Sequence, residues 1–222
     1  MLSQRSIAPP TNFVGVILLD TEDDGYSGEV KVLFQDLKDF RSNVEKAQRK
    51  MATFPYETMD RKYAIGLINL YTQDSNFYRK LNEEMRSNYP TKTDIWQRSG
   101  DLINRGIDIL GRTKHKIVYR GCIVLNGPPE KGRNFKFNQI TSTTLIRELA
   151  QHFADDGCHK GKLFEISNVD GLLAEEYSDF RNEKEVLIKS YYVFKVIEES
   201  QTTTEDIYKL EYQPESTNFL MQ

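Results

Sequence analysis

The hydrophobic pattern of this chain changes its period near residue 114. Before that point, apolar residues recur at the spacing of amphipathic helices, as shown by Phe77, Leu81, Met85, Trp96, Ile103, Ile107 and Leu110. After it, short runs rich in β-branched and aromatic residues are separated by turn signals such as Gly127-Pro128-Pro129. A helical first part and a strand-rich second part predict an α+β fold.

The two parts predict different sets of elements. The first predicts helices over about residues 30–110, interrupted at Pro55 and Pro90, with the apolar stripes packed in its core. The second predicts a helix at residues 144–153 and strands at residues 116–124, 135–141, 163–167, 185–188, 191–197 and 206–212. No repeat or long flexible linker separates the parts. We therefore expect one domain over residues 1–222, with a β-rich core at about 114–213.

The charge balance argues against nucleic acid as a partner. Lys and Arg total 30, Asp and Glu total 33, and the formal net charge is -3 at pH 7. No run of basic residues offers the electrostatic footprint that DNA or RNA binding needs. With 12 Phe, 12 Tyr and 1 Trp, the chain can bury a substantial core, which argues against disorder.

The sequence also lacks membrane and disulfide signals. The longest apolar stretch near the N-terminus, Val14 to Leu19, is much shorter than a membrane-spanning helix. Cys122 and Cys158 are too few for a disulfide framework, and no Asn-x-Ser/Thr sequon occurs. We expect a cytoplasmic monomer without a membrane partner, although a mature fragment of a secreted precursor would show the same signals.

Two familiar motifs do not fit. Gly127 to Gly132 has the glycine spacing of a phosphate-binding loop, but Arg133-Asn134 stands where that loop has Lys and Ser or Thr. His152 and the pair Cys158-His159 lack the paired spacing of a zinc site. We expect a turn at the glycines and no metal.

The segment Val118-Tyr119-Arg120-Gly121 places a charge within a strand that otherwise suits burial. A buried guanidinium is costly unless an anion pairs with it, and its planar fork suits phosphate oxygens. Gly121 would let a ligand approach the backbone closely. A structural ion pair between Arg120 and a carboxylate explains the segment equally well.

Two further segments are candidates for chemistry. Ile140 to Thr144 contains a run of hydroxyl residues that suits either a helix N-cap or the orientation of a carboxylate or ribose. Glu183 and Glu185 stand two apart at the start of a strand, so strand geometry at both would place them on one face. There one carboxylate can stabilise a cation while the other takes a proton. An acidic, solvated strand entry is the alternative.

Taken in order, the Arg, the hydroxyl run and Glu-x-Glu resemble the vertebrate-type, arginine-specific mono-ADP-ribosyltransferase family. The similarity also covers Asp23-Asp24-Gly25-Tyr26, a helical segment with Leu70-Tyr71-Thr72, Phe77-Tyr78 and Asn82, and the stretch from Leu163 to Val196. It extends over roughly residues 20–198 without large gaps.

This resemblance implies a fold and an activity. The fold is an ADP-ribosyltransferase-like one, with a helical N-terminal part followed by two packed, mostly antiparallel β-sheets and an NAD cleft. The activity is transfer of ADP-ribose from NAD to an arginine side chain of an acceptor protein, with release of nicotinamide and no metal. An effector or toxin would fit this activity. An NAD glycohydrolase using the same site, and a non-catalytic NAD-binding module, are the alternatives.

The resemblance assigns five residues to NAD. Glu185 would stabilise the cation-like ribose and hydrogen-bond a ribose hydroxyl, while Ser142 would hold Glu185 in position. Arg120 would grip the NAD phosphates. The backbone of Gly121 would hydrogen-bond the nicotinamide amide, and Phe153 would stack on the nicotinamide ring.

Three residues are assigned to the acceptor. Glu183 would orient or deprotonate the acceptor guanidine, and Tyr177 and Phe180 would contact the acceptor protein. The chain also departs from the family pattern. Thr144 replaces a Ser of the hydroxyl motif, Lys189-Ser190 replaces a proline pair, and Glu29 and Asn168 stand where secreted members have cysteines. The missing cysteines agree with a cytosolic location.

Overall fold

The structure is a computed structural model that describes residues 61–72, 76–87, 94–122, 127–155, 160–178 and 180–214. Expectations for Asp23 to Tyr26, Glu29, Pro55, Pro90 and Cys158-His159 lie outside the described residues. The chain divides into two compact units. Among the described residues, the helical unit holds those up to Leu110 and those from Glu176 to Arg181, and the strand unit holds those from Gly111 to Glu175 and those from Asn182 onward. That both units form one domain stays a prediction.

The helical unit contains the described helices α1 (Arg61–Thr72), α2 (Asn76–Arg86) and α3 (Asp94–Leu110). Its apolar stripes are buried, which confirms the predicted packing role for Leu81, Met85, Trp96, Ile103, Ile107 and Leu110. The side chain of Phe77 lies outside the described part. A buried polar pair joins α1 to α2, because Asn82 Nδ2 donates to Tyr71 Oη at 3.1 Å.

The strand unit contains helix α4 and the described strands β1 to β7. Their bounds are β1 Thr113–Cys122, β2 Asn134–Phe135, β3 Thr141–Thr144, α4 Arg147–Ala154, β4 Gly161–Leu173, β5 Glu185–Ile188, β6 Val193–Gln201 and β7 Glu205–Gln213. A 3-10 turn at Arg181–Glu183 precedes β5. Together with the helices of the other unit, these strands confirm the α+β class.

All seven strands belong to one hydrogen-bonded network, in the order β1-β3-β5-β4-β7-β6-β2. Only β4 and β7 pair in parallel; the other described pairs are antiparallel. The long strand β4 pairs with β1 up to Gly171 and with β5 at Leu172 and Leu173. The two predicted sheets are therefore joined into one. Strand β1 pairs with β3 and β4, and β4 also pairs with β5 and β7.

Aromatic side chains make up much of the core of the strand unit. Phe164 on β4 is fully buried and stacks on Tyr208 of β7, with 5.4 Å between the ring centroids. Phe137 meets Phe164 edge to face at 5.2 Å and Phe194 at 5.7 Å. These contacts join β4, β6, β7 and the loop before β3 through one apolar cluster.

The hydroxyl run forms a strand, where the sequence also allowed a helix N-cap. β3 covers Thr141–Thr144 and pairs with β5 along its whole length. Of the strand predicted at 135–141, only the end residues lie in strands, Phe135 in β2 and Thr141 in β3, and the helix predicted from residue 144 begins at Arg147. Its N-cap residue, Ile146, has no side-chain cap. Pairing with the buried β5 outweighs the capping preference of the hydroxyl residues, because tertiary pairing overrides local propensity.

Helix α4 packs on β1 and β4 at two glycines. A Cβ added to Gly121 would lie 1.7 Å from the carbonyl oxygen of Ala150, and one added to Gly161 would lie 1.9 Å from that of Ala154. Only a residue without a side chain lets the helix backbone come this close. Gly121 is thus required by helix packing, whereas the sequence suggested access for a ligand.

We expect Gly161→Ala to lower the free energy of unfolding by about 3 kcal/mol or more, because the added methyl group meets backbone that cannot move aside. Gly106→Ala in α3 is the comparison. There the new Cβ would lie 3.6 Å from Ile68, an ordinary contact, and Ala gains up to about 1 kcal/mol of helix propensity. Urea unfolding of both variants measures the difference. Equal effects of the two substitutions would contradict the packing argument.

Candidate active site

Glu185 is the first residue of β5, and its side chain is buried. All four residues of β5 are buried, since β3 pairs with one edge of the strand and β4 with the other. Glu185 itself is 7% exposed, and its carbonyl oxygen accepts a hydrogen bond from the Ala174 N–H at 2.8 Å. An ionised carboxylate at such a position costs free energy unless donors or opposite charges compensate it.

Ser142 on β3 supplies one compensating donor. In the β3–β5 register Ser142 lies opposite Leu187, so its side chain is on the same face as Glu185, one diagonal step away. Ser142 Oγ donates to Glu185 Oε1 at 2.5 Å. A hydroxyl bond to a carboxylate is shorter and stronger than a neutral pair. The structure thus brings these two predicted site residues together.

Arg120 on β1 is linked to Glu185 through Ser142. Arg120 Nη1 donates to the Ser142 carbonyl oxygen at 2.7 Å, and the guanidinium lies over the Phe137 ring at 5.8 Å from its centroid. No carboxylate among the described residues forms an ion pair with it. Ser142 therefore uses its carbonyl toward the Arg and its hydroxyl toward the Glu.

Burial raises the pKa of Glu185 from its ordinary value of 4.5 to about 7. Loss of water is the largest cause, and the negative charge of Glu183 raises the pKa further. The Ser142 hydrogen bond and the positive charge of Arg120 lower it, but they do not cancel the cost of burial. Near neutral pH this carboxyl group is therefore close to the midpoint of its titration.

Glu183 does not have the strand geometry that the sequence analysis assumed. It is the last residue of a 3-10 turn, and Lys184 after it has a positive φ of 47°. The period-two argument for one shared face is therefore wrong, since the chain turns between the two glutamates. The negative charge of Glu183 nonetheless acts on Glu185, since it contributes to the raised pKa of that carboxyl group.

The residues predicted to bind nicotinamide lie at the contact between β1 and α4. Gly121 follows Arg120 on β1 and pairs with Leu163 of β4. Phe153 is half-buried in the last turn of α4, with its ring centroid 6.3 Å from that of His152. Both residues belong to the same unit as Glu185.

The segment predicted to contact the acceptor belongs to the helical unit. Tyr177 accepts hydrogen bonds at its carbonyl oxygen from Asn69 Nδ2 at 2.8 Å and at its hydroxyl from Arg61 Nη2 at 3.1 Å. Ser178 is buried, and its Oγ accepts a hydrogen bond from the Phe180 N–H at 3.1 Å. Phe180 is 39% exposed, so its ring faces solvent in part.

Two residues around the site had no role assigned to them from the sequence. Phe137 lies under the Arg120 guanidinium, and Thr144 donates a hydrogen bond to the Glu183 carbonyl oxygen. The hydroxyl run pointed to the region of Thr144, but only strand pairing shows which hydroxyl meets which group. Nothing in the sequence distinguishes Phe137 from an ordinary core aromatic residue.

The structure also bears on metals and membranes. Within the described ranges, no three or more His, Cys, Asp or Glu side chains are grouped to hold a metal ion. His152, considered above for a zinc site, is exposed on α4. Among the helices that the structure describes, none combines the length and apolar character of a membrane span.

Comparison with known proteins identifies the family. The family described as NAD:arginine ADP-ribosyltransferase matches residues 31–217, which is most of the chain. The chain therefore belongs to the NAD:arginine ADP-ribosyltransferase family. This confirms the resemblance on which the sequence analysis relied.

Individual relatives match to different extents. NAD(P)(+)-arginine ADP-ribosyltransferase 1 of Gallus gallus is 35% identical over 80 residues, which are 36% of this chain but only 24% of that protein. The erythroblast NAD(P)(+)-arginine ADP-ribosyltransferase of Gallus gallus is 23% identical over 224 residues, 89% of this chain and 71% of that protein. Among solved structures, a mutant of the eucaryotic mono-ADP-ribosyltransferase ART2.2 in complex with NADH matches with a TM-score of 0.59 and 20% identity. That match covers 93% of this chain and 87% of the other, and it supports the same fold.

The raised pKa of Glu185 predicts a stability that depends on pH. Folding raises this pKa from 4.5 to about 7. The contribution of the protonated Glu185 carboxyl to stability is therefore fully present below pH 4.5, and it is lost as the pH rises through about 7. At about pH 8 the ionised carboxylate destabilises the fold by about 3 kcal/mol relative to acidic pH. Glu185→Gln should therefore melt at a higher temperature than the unsubstituted protein at about pH 8, with the difference vanishing by about pH 4.

Thermal unfolding over this pH range tests the expectation. Glu198→Gln is the control, since Glu198 is 46% exposed in a surface ion pair with Lys209 and such pairs contribute little to stability. If the difference in melting temperature between Glu185→Gln and the unsubstituted protein does not change with pH, folding leaves the pKa of Glu185 unchanged.

Proposed function

We propose that this chain transfers ADP-ribose from NAD to an arginine side chain of an acceptor protein and releases nicotinamide. Family membership supports NAD as the substrate and arginine as the acceptor. The observation that carries the proposal is the buried Glu185, held by Ser142 and influenced by the charges of Arg120 and Glu183. No metal takes part in the proposed reaction.

Glu185 is assigned to the bond that breaks. When the bond between the nicotinamide nitrogen and C1 of the ribose breaks, its electron pair leaves with nicotinamide and the ribose carbon becomes cation-like. An ionised Glu185 in a dry site would stabilise that positive charge by about 3 kcal/mol, as other preorganised groups do. Ser142 fixes the direction of the carboxylate, so little reorganisation is needed when the charge develops.

Arg120, Gly121 and Phe153 are assigned to the rest of NAD. Among the described residues, only Ser142 accepts a hydrogen bond from the Arg120 guanidinium. A guanidinium has five N–H donors, so it can still present a fork to phosphate oxygens. The backbone of Gly121, next to Arg120 on β1, would bind the nicotinamide amide. The half-buried ring of Phe153 would stack on nicotinamide.

Glu183, Tyr177 and Phe180 are assigned to the acceptor. A guanidinium is a poor nucleophile until a base removes a proton, and Glu183, whose charge acts on Glu185, is the carboxylate assigned to do this. The acceptor nitrogen would then bond to the ribose carbon, and its proton would pass to Glu183. Phe180 and Tyr177, in the segment just before Glu183, would contact the acceptor protein.

Two alternatives use the same site. In an NAD glycohydrolase, water takes the place of the guanidine, and in a non-catalytic module NAD binds without reacting. Glu183 favours transfer, because attack by water does not need a carboxylate that recognises a guanidinium. The cytoplasmic location, the monomeric state, and the absence of nucleic-acid and membrane partners stay predictions from the sequence.

Glu183→Gln should separate the two activities. The amide is close in shape to the carboxylate but cannot take a proton near neutral pH, so arginine modification should be lost while nicotinamide release into water continues. The measurement follows free nicotinamide and a labelled arginine acceptor in the same reaction. Glu199→Gln, an exposed position on β6, is the control and should change neither.

The paired assay also has outcomes that contradict the proposal. If both activities of Glu183→Gln fall together, Glu183 acts on NAD and the division of roles is wrong. If neither falls, the acceptor is not arginine, and the glycohydrolase is the better description. An unsubstituted protein that releases no nicotinamide would support the non-catalytic module.

Arg120→Lys should weaken NAD binding clearly, because Lys keeps the charge but loses the two-pronged hydrogen-bonding geometry. Isothermal titration calorimetry with NAD measures the dissociation constant. Arg133→Lys is the matched control, since Arg133 is 75% exposed in a surface pair with Glu130. An unchanged dissociation constant for Arg120→Lys would assign this side chain to holding β3 through Ser142 instead.

A further inference from the structure

Thr144 is the last residue of β3, and its hydroxyl joins three pieces of backbone. Thr144 Oγ1 donates to the Glu183 carbonyl oxygen at 2.6 Å. The same oxygen accepts a hydrogen bond from the Ile146 N–H at 3.0 Å, just before α4. The side chain is 4% exposed, so water does not compete for these bonds. One hydroxyl thus connects the end of β3, the start of α4 and the 3-10 turn.

The turn that carries Glu183 needs such a connection. Lys184 has a φ of 47°, a conformation that costs free energy in residues other than Gly and persists only when the surroundings hold it. The Leu145 N–H donates to the Lys184 carbonyl oxygen at 3.2 Å, and Lys184 Nζ pairs with Glu175. The Thr144 hydroxyl makes a contact with Glu183 itself.

The last three of the four hydroxyls of β3 have different acceptors. Ser142 bonds the Glu185 carboxylate, Thr143 bonds the Val186 carbonyl oxygen at 2.7 Å, and Thr144 bonds the Glu183 carbonyl oxygen. Ser142 thus acts on the side chain assigned to NAD, and Thr144 acts on the backbone of the residue assigned to the acceptor. Thr143 makes the same kind of bond as Thr144, but to a core residue of β5.

We propose that Thr144 is a positioning residue for Glu183 and sets how efficiently the enzyme uses the guanidine acceptor instead of water. This inference rests on the proposed function, since it takes Glu183 to be the acceptor carboxylate. Holding the Glu183 backbone fixes where its carboxylate meets the acceptor nitrogen, and small displacements of a reacting group cost large factors in rate. Water is small and abundant, so its attack does not depend on that position.

Thr144→Val tests this, because Val keeps the branched shape and loses both hydrogen bonds of the hydroxyl. We expect the ratio of arginine modification to NAD hydrolysis to fall by about tenfold or more. The KM for a small guanidine acceptor such as agmatine should rise, while the KM for NAD should not change. Thr144→Ser restores the hydroxyl and should restore the ratio.

Thr143→Val is the matched control. It removes a hydroxyl bonded to a carbonyl from the same strand at similar burial, 5% exposed against 4%. Any general weakening of β3 should therefore appear in this variant too, with the ratio of the two activities unchanged. Circular dichroism at increasing temperature checks that each variant is folded under the assay conditions.

The outcomes separate this inference from the proposed function. If the unsubstituted protein does not modify arginine or agmatine, the proposed function itself fails. If it does, and Glu183→Gln abolishes transfer while Thr144→Val keeps the ratio of the unsubstituted protein, only the role of Thr144 is wrong. An equal fall of the ratio in Thr143→Val and Thr144→Val, or a low ratio in Thr144→Ser, also overturns it.

Discussion

The arrangement of the strand unit around the site depends on a carboxylate buried at the start of an apolar strand. A charge removed from water costs several kcal/mol unless it is compensated, and Glu185 is 7% exposed. The compensation is indirect, because Ser142 lies between the carboxylate and Arg120 and bonds to both. The positive charge therefore acts on Glu185 without being neutralised by it, which leaves the guanidinium able to attract an anion.

Buried polar groups need hydrogen-bond partners, and this explains how the polar sequence of β3 can form a strand in the core. A strand of Thr and Ser buried between β1 and β5 would be costly if its hydroxyls lacked acceptors. Here Thr141 donates to the Gln139 carbonyl oxygen and Thr143 to that of Val186. The other two hydroxyls bond to Glu183 and Glu185. The hydroxyl run is thus matched to the backbone and carboxylate oxygens around it, and it ties β3 to the segment that carries both glutamates.

Much of the fold could be predicted because it follows from periodicity. The change from helical to strand spacing near residue 114 marks the boundary between the two units at Leu110 and Gly111. Strand β5 was predicted at its observed bounds, since the apolar run Val186-Leu187-Ile188 between charged residues gives a clear signal. The extents of β2 and β3 could not be predicted, because they depend on pairing with strands far away in the sequence.

The candidate site, like the fold, could be predicted from the sequence only in part. Residue types and their order pointed to Arg120, the hydroxyl run and the two glutamates, because each is hard to explain by packing alone. The relation between Glu183 and Glu185 depends on the positive φ of Lys184, and no sequence rule places that conformation at a lysine. Gly121 was singled out for a reason that differs from the one the structure gives. A glycine that admits a ligand and one that admits a helix look the same in a sequence.

The raised pKa of Glu185 and its proposed role favour opposite protonation states of the same carboxyl group. Burial favours the neutral carboxyl in the resting protein, whereas stabilising a cation-like ribose requires the ionised form. Both demands follow from the low polarity of the surroundings, which penalises the carboxylate alone and also strengthens its attraction to a nearby positive charge. The penalty is present throughout the reaction, but the attraction is greatest when positive charge develops on the ribose carbon. An interaction that strengthens as the transition state forms is the kind that raises the rate, so in the proposed reaction the destabilising burial of Glu185 would serve catalysis at that step.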